Sequence, residues 1–336
     1  MRDEILSQIQ KNFPLTKRPF LAIAENLGIS ENEVIEILKN EKETKIIRQI
    51  SAIFDTKKLG FESSLIAFKV DAKDIDNAVE IINAHPGVSH NYERDHDFNI
   101  WFTLAIAPDS KLGLKRSVEI LANLTDAKDF VILPTLKMFK ISVKLNTTGK
   151  DAKKEKVKQK KYKKIDLTPL HLDIVKLAQN DIEIVKEPFK KLINKLNIDY
   201  DIFFDRLNEL KDSGIMRRFA GILNHRKAGF NANAMTVWDI DEKSGEEIGK
   251  KVAEFSAVSH CYLRPKYPNW QYNLFSMIHG KTKEETDNII EDIANEIEYK
   301  SKRPLYSTRE FKKVRIKYFS QEFQKWEDKI LSKELS

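Results

Sequence analysis

Cysteine is almost missing from this 336-residue chain, in which Cys261 stands alone. One thiol cannot close an internal disulfide, and it cannot supply the three thiolates of a site-differentiated iron–sulfur cluster or a Cys-rich zinc site. A reducing, cytoplasmic setting is therefore expected. The eleven glycines are too dispersed to cradle a phosphate, and the patterns GxxxxGK, GxGxxG, HExxH and GxSxG do not occur. Apolar runs fall far short of the roughly 20 residues a membrane helix needs, and Met1-Arg2-Asp3-Glu4 has no apolar stretch behind it. A soluble protein without a signal peptide or membrane partner is expected.

The formal net charge of +7 invites a nucleic-acid reading until it is located. Lys150 to Lys164 holds nine lysines against Asp151 and Glu155, which accounts for the whole excess and leaves 49 basic and 49 acidic residues elsewhere. A run of that kind reads as a solvated linker. It splits the chain near its middle, and the halves repeat each other. Ile47-Arg48 and Gly60-Phe61 align with Met216-Arg217 and Gly229-Phe230, and Val88 to Arg94 aligns with Val258 to Arg264. Phe98-Asn99 matches Tyr272-Asn273, and Leu136 to Lys140 resembles Ser307 to Lys312.

Each half opens with three short amphipathic helices and a wing strand, the pattern of a winged helix-turn-helix. In the first half the helices are expected at 4–11, 18–26 and 31–39, with Gly28 and Ser30 as stop and cap. In the second they fall at 170–178, 189–196 and 202–211, with Asp199 as N-cap. The remainder of each half alternates strand and helix as β-α-β-β-α-β, the ferredoxin-like order, with last strands at 137–145 and 314–319. The expected fold class is α+β, two tandem repeats packed as an intramolecular pseudo-dimer, sheet on sheet. Domains are expected at 1–60 and 166–228 (helix-turn-helix), 61–146 and 229–330 (ferredoxin-like), with a linker at 147–165.

The second half gathers groups suited to an acidic, flat, aromatic ligand: Arg217, Arg218, His225, Arg226, His260, Tyr262, Arg264, Tyr267, Trp270, Tyr272 and Asn273. Arginine forks bind carboxylates bidentately, and aromatic faces bury a ring. Histidine is the natural proton donor at neutral pH. His225-Arg226 corresponds to Thr56-Lys57 in the first half, so one competent pocket centred on the second half is expected. His90, Tyr92, Arg94 and His96 form the alternative pocket. His85, His171 and His279 read as structural or exposed.

A winged helix-turn-helix followed by a ferredoxin-like domain resembles the leucine-responsive (Lrp/AsnC) regulators. The stretches His85 to Thr103, Met216 to Trp238 and Ser259 to Phe275 narrow the resemblance to the siroheme decarboxylases. It covers nearly the whole chain, linker excepted. The resemblance implies non-oxidative removal of carbon dioxide from two acetate side chains of siroheme, giving 12,18-didecarboxysiroheme for heme or heme d1 synthesis. His225 and His260 would donate protons with Tyr262 in support, and the arginines, Tyr267, Trp270, Tyr272 and Asn273 would hold the substrate. No separate cofactor is implied, no protein metal site, and iron arrives within the substrate. Partners are then siroheme and didecarboxysiroheme, with further self-association left open. The competing readings are a DNA-binding regulator and a heme-binding sensor or carrier. Glu31, Glu33 and Glu36 in one recognition helix, and Asp199, Asp201 and Asp205 in the other, set carboxylates where DNA would meet them, so specific nucleic-acid binding is not expected.

Overall fold

The computed structural model describes residues 1–11, 13–141, 162–223 and 232–334. The first repeat runs α1 (Arg2–Lys11), α2 (Pro19–Leu27), α3 (Glu31–Glu43), β1 (Ile47–Phe54), β2 (Glu62–Lys69), α4 (Ile75–Ala84), β3 (Val88–Arg94), β4 (Ile100–Ile106), α5 (Gly113–Leu124), β5 (Asp129–Pro134) and β6 (Lys137–Ile141). The second runs α6 (Pro169–Ala178), α7 (Lys190–Leu196), α8 (Tyr200–Asp212), β7 (Met216–Leu223), β8 (Ala232–Asp239), α9 (Gly245–Glu254), β9 (Val258–Leu263), β10 (Leu274–Gly280), α10 (Lys283–Glu296), β11 (Ser301–Lys313) and α11 (Glu322–Glu334). Among the described residues no helix is long and apolar enough to cross a membrane.

The chain divides into two units. One holds Met1–Phe61, the described part of Lys160–Lys227, and Lys317–Gln321, and therefore both helix-turn-helix segments. Its helices begin and end where local chemistry directs. Gly28 closes α2 in the left-handed region at φ 68°, and Ser30 and Glu33 form a reciprocal capping box on α3. Asp199 accepts the Ile202 N–H to cap α8. The two wings pair with each other, β1 antiparallel to β7.

The other unit holds the described parts of Glu62–Gln159 and Ala228–Ile316 with Glu322–Ser336. Its strands are ordered β5-β2-β4-β3-β11-β8-β10-β9-β6. The first half of β11 pairs with β8 and the second half crosses to β3, while β5 pairs with β2 and β6 crosses to β9. Two ferredoxin-like sheets are thus tied by a strand passing each way. Helices α4 and α5 cover one sheet around Phe102, Leu104 and Val118, and α9 and α10 cover the other around Trp238, Val252 and Ile290. The inner faces share a third apolar cluster that includes Trp101, Val237, Trp270 and Phe275. The expected sheet-on-sheet pairing is what closes these faces.

A strand does begin at Lys137 as expected, but this is β6 and it pairs with β9 of the other sheet, while β5 takes the edge of the first sheet; residues 142–145 lie outside the described residues. In the second repeat the last strand is β11, upstream of 314–319, which is not a strand. Val314, Ile316 and Tyr318 alternate, but Tyr318 packs its ring on Phe54 and Phe61 instead. β11 itself is nearly half charged and carries Pro304, so its pattern hides it.

Candidate active site

β9 delivers Ser259, His260, Cys261 and Tyr262, with Arg264 just beyond its end. Alternation sends Cys261 into the helix-covered core and turns Tyr262 toward the opposite face, where its cross-strand partner is Phe275. The register slips between His260↔Met277 and Val258↔Ile278, leaving Ser259 as an extra residue in a β-bulge. The bulge turns the buried Ser259 hydroxyl toward two imidazoles. Its Oγ lies 2.7 Å from His260 Nδ1 and 2.6 Å from Nε2 of His279 on β10. His279 Nδ1 in turn lies 2.7 Å from Oδ1 of Asn233, its register partner on β8. Burial, then the proximity of His260 and Lys313, pushes the His279 pKa down to about 4, so this ring is neutral at physiological pH.

The first half keeps only part of this chain. Ser89 Oγ lies 2.9 Å from His90 Nδ1 at an equivalent bulge. The positions matching His279 and Asn233 are Ala105 and Ser63, themselves register partners between β4 and β2. The rings of His90 and Tyr92 stack at 6.4 Å, much as His260 and Tyr262 sit at 6.1 Å. Burial pushes the Tyr92 hydroxyl up to about 12.

Arg94 and Arg264 are buried, and each reaches into the other repeat. Arg94 Nη1 donates to the Leu305 carbonyl at 2.6 Å, and Arg264 Nη1 donates to the Leu133 carbonyl and to Thr135 Oγ1. Burial lowers both guanidinium pKa values to about 10, which leaves them charged at neutral pH. Arg264 lies over the Tyr262 and Phe275 rings at 5.1 and 5.3 Å. The Nε atoms of Arg94 and Arg264 and Trp270 Nε1 have no hydrogen-bond partner among the described residues.

Trp270 is buried in the inter-sheet cluster. His96, Phe98 and Trp101 of the first repeat contact it from one side, and Tyr272 and Phe275 of the second from the other. His96 and Trp270, which the sequence reading assigns to different pockets, therefore meet, with centroids 5.4 Å apart. Burial, then Arg303, lowers the His96 pKa. Tyr267 donates to the Ile132 carbonyl at 2.7 Å. Asn273 is buried and bonds both backbone groups of Ile240, as Asn99 bonds those of Val70. Arg217 and Arg218 are exposed on β7 in the helix-turn-helix unit, where Arg217 pairs with Asp55 at 2.9 Å. His225 and Arg226 lie outside the described residues.

Sequence reasoning set His279 aside and did not single out Asn233. The signal was available in the repeat. Aligning Asn99 with Asn273 sets His279 against Ala105, an imbalance of the same kind as His225 against Thr56. His85 and His171 do sit in structural roles: His85 is buried against Trp326 with its Nδ1 accepting from Gly87, and His171 joins the N-terminal cap of α6.

Residues 58–140 and 227–312 match the AsnC-like ligand binding domain, and residues 3–48 and 172–217 match the siroheme decarboxylase NirDL-like HTH domain. A siroheme decarboxylase of Hydrogenobacter thermophilus is 42% identical over 92% of this chain and 92% of its own length. The crystal structure of the siroheme decarboxylase NirDL superposes with a TM-score of 0.81 at 37% identity, covering 100% of this chain and 99% of that one. Its co-complex with an iron-uroporphyrin III analogue gives 0.79 at 37% identity over 98% of each chain. With both matched domain types present twice in one chain and full-length likeness to a two-repeat relative, the chain belongs to the siroheme decarboxylase family.

Proposed function

We propose that the protein is a carboxy-lyase that removes carbon dioxide from two acetate side chains of siroheme, yielding 12,18-didecarboxysiroheme. At each acetate the bond between methylene carbon and carboxylate breaks, carbon dioxide leaves, and the electron pair stays on the methylene carbon, delocalised into the macrocycle. One proton then converts that carbon to a methyl group. Atoms and electrons balance without an oxidant, so no separate redox cofactor is needed, and iron enters as part of the substrate.

The observation that carries this reading is His260: a half-buried imidazole on a bulged strand, its Nδ1 fixed by Ser259, beside Tyr262. A protonated imidazole held in position can give its proton to the substrate carbon in the transition state, typically for about 10²- to 10⁴-fold in rate. Tyr262 and Tyr272, both half-buried, supply ring faces for a macrocycle. His225 and Arg226 join this reading from the sequence alone, as second proton donor and carboxylate anchor. The reacting acetate itself should meet no strong ion pair, since that would stabilise the ground state.

Anaerobic incubation of the purified protein with siroheme, followed by mass analysis, tests the proposal. A product lighter by two carbon dioxide units is expected with no added redox cofactor. Unchanged mass with bound siroheme would favour a carrier or sensor instead.

A further inference from the structure

We propose that Ser259, His279 and Asn233 form a positioning relay that fixes which nitrogen of His260 exchanges a proton with substrate. The proposal deepens the decarboxylase reading and rests on it for its kinetic part. The direction of the relay follows from donors and acceptors. Asn233 Oδ1 only accepts, so the proton of neutral His279 sits on Nδ1. His279 Nε2 is then a lone pair and takes the Ser259 hydroxyl proton. With its single proton committed, Ser259 Oγ meets His260 Nδ1 as an acceptor, and His260 carries a proton on Nδ1.

Nδ1 of His260 is thereby protonated before and after the reaction, and Nε2 is the nitrogen whose proton comes and goes. Loss of the Nε2 proton to the substrate carbon leaves His260 in the tautomer the relay already favours, with no ring or hydroxyl reorientation. The relay requires a neutral His279. A protonated ring would present Nε2–H to Ser259, reverse the hydroxyl and put the neutral His260 proton on Nε2. The groups that act against protonation of His279 are His260 on β9 and Lys313 at the end of β11. Lys313 is held 3.7 Å from Glu310. In the first repeat Ala105 and Ser63 replace His279 and Asn233, so His90 has the serine without the ring behind it. The relay thus distinguishes two otherwise similar Ser-His pairs and assigns proton transfer to the second.

The test uses full-length protein labelled with ¹⁵N-histidine, together with anaerobic single-turnover decarboxylation of siroheme. In ligand-free parent protein, neutral His260 should show its proton on Nδ1. His279→Ala should move that proton toward Nε2 and slow single turnover by about tenfold or more, with the siroheme dissociation constant within about threefold of the parent. His279→Gln should restore both readouts, because its amide oxygen accepts from Ser259 and its amide N–H donates to Asn233. An unchanged tautomer and parental rate in His279→Ala would overturn the proposal. Equal loss of rate in the Ala and Gln variants would also overturn it, reducing His279 to a packing residue. If His260→Ala kept the parental rate, the donor assignment would fail by itself, and the nitrogen shifts would still decide the relay.

Discussion

Arg264→Ala separates two roles that one guanidinium cannot hold at once. The sequence points to a carboxylate anchor for substrate, whereas the structure has Arg264 buried, bonded to Leu133 and Thr135 across the repeats and lying over Tyr262 and Phe275. A charge-assisted hydrogen bond to a carbonyl contributes about 1.5–3 kcal/mol, and the one to Leu133 is lost with the guanidinium. The desolvated ring contacts add about 0.5–2 kcal/mol. Relief of a buried charge, the same burial that lowers its pKa to about 10, returns part of this. A net loss of about 2–4 kcal/mol follows from these terms. Urea denaturation should show a lower midpoint at unchanged slope. Arg94→Ala should cost a similar amount, because Arg94 makes the matching bond to Leu305 at 2.6 Å. If Arg264→Ala kept the parental midpoint while siroheme binding weakened, the guanidinium would be a substrate anchor and its role in joining the two repeats would be refuted.

Two further outcomes follow from charge. Native His85, pushed down to about 3 by burial and then Lys312, and His279, pushed down to about 4, both bind fewer protons than unfolded histidine near 6.5. Their stabilisation is complete above about pH 6.5 and is lost as pH falls toward 4, at up to about 1.4 kcal/mol per pH unit for each ring, which urea midpoints at pH 7, 6 and 5 would check; a flat profile would refute it. Duplex DNA should not bind specifically, because the exposed faces of α3 and α8 carry Glu33, Glu36, Asp201 and Asp205; a nanomolar complex at physiological salt that survives removal of the Lys150–Lys164 lysines would contradict this.

The fold was legible where local chemistry and duplication both spoke. Gly28, Ser30 and Asp199 mark helix ends by their own conformational and capping preferences, and the repeat of Val88 to Arg94 in Val258 to Arg264 marks equivalent strands. The crossing strands were harder to read. β11 is charged and interrupted by Pro304, and its two halves serve different sheets, so no single alternation describes it. At the site, residue types identified Ser259's neighbour His260, but not the relay. Ser259 faces His279 only because a bulge adds a residue at that point, and Asn233 meets His279 only through strand register. Buried arginines show the same limit. Sequence gives the charge of Arg94 and Arg264, while the carbonyl each one meets comes from the other repeat.

The central claim is that proton delivery belongs to the second repeat, and single-turnover decarboxylation of siroheme by His260→Ala and His90→Ala, run side by side under anaerobic conditions, tests it most directly. His260→Ala should lose at least about tenfold in rate, roughly 1.4 kcal/mol of transition-state stabilisation, with siroheme binding largely kept, and His90→Ala should lose less. An inactive His90→Ala beside a fully active His260→Ala would place the chemistry in the first repeat and contradict the account.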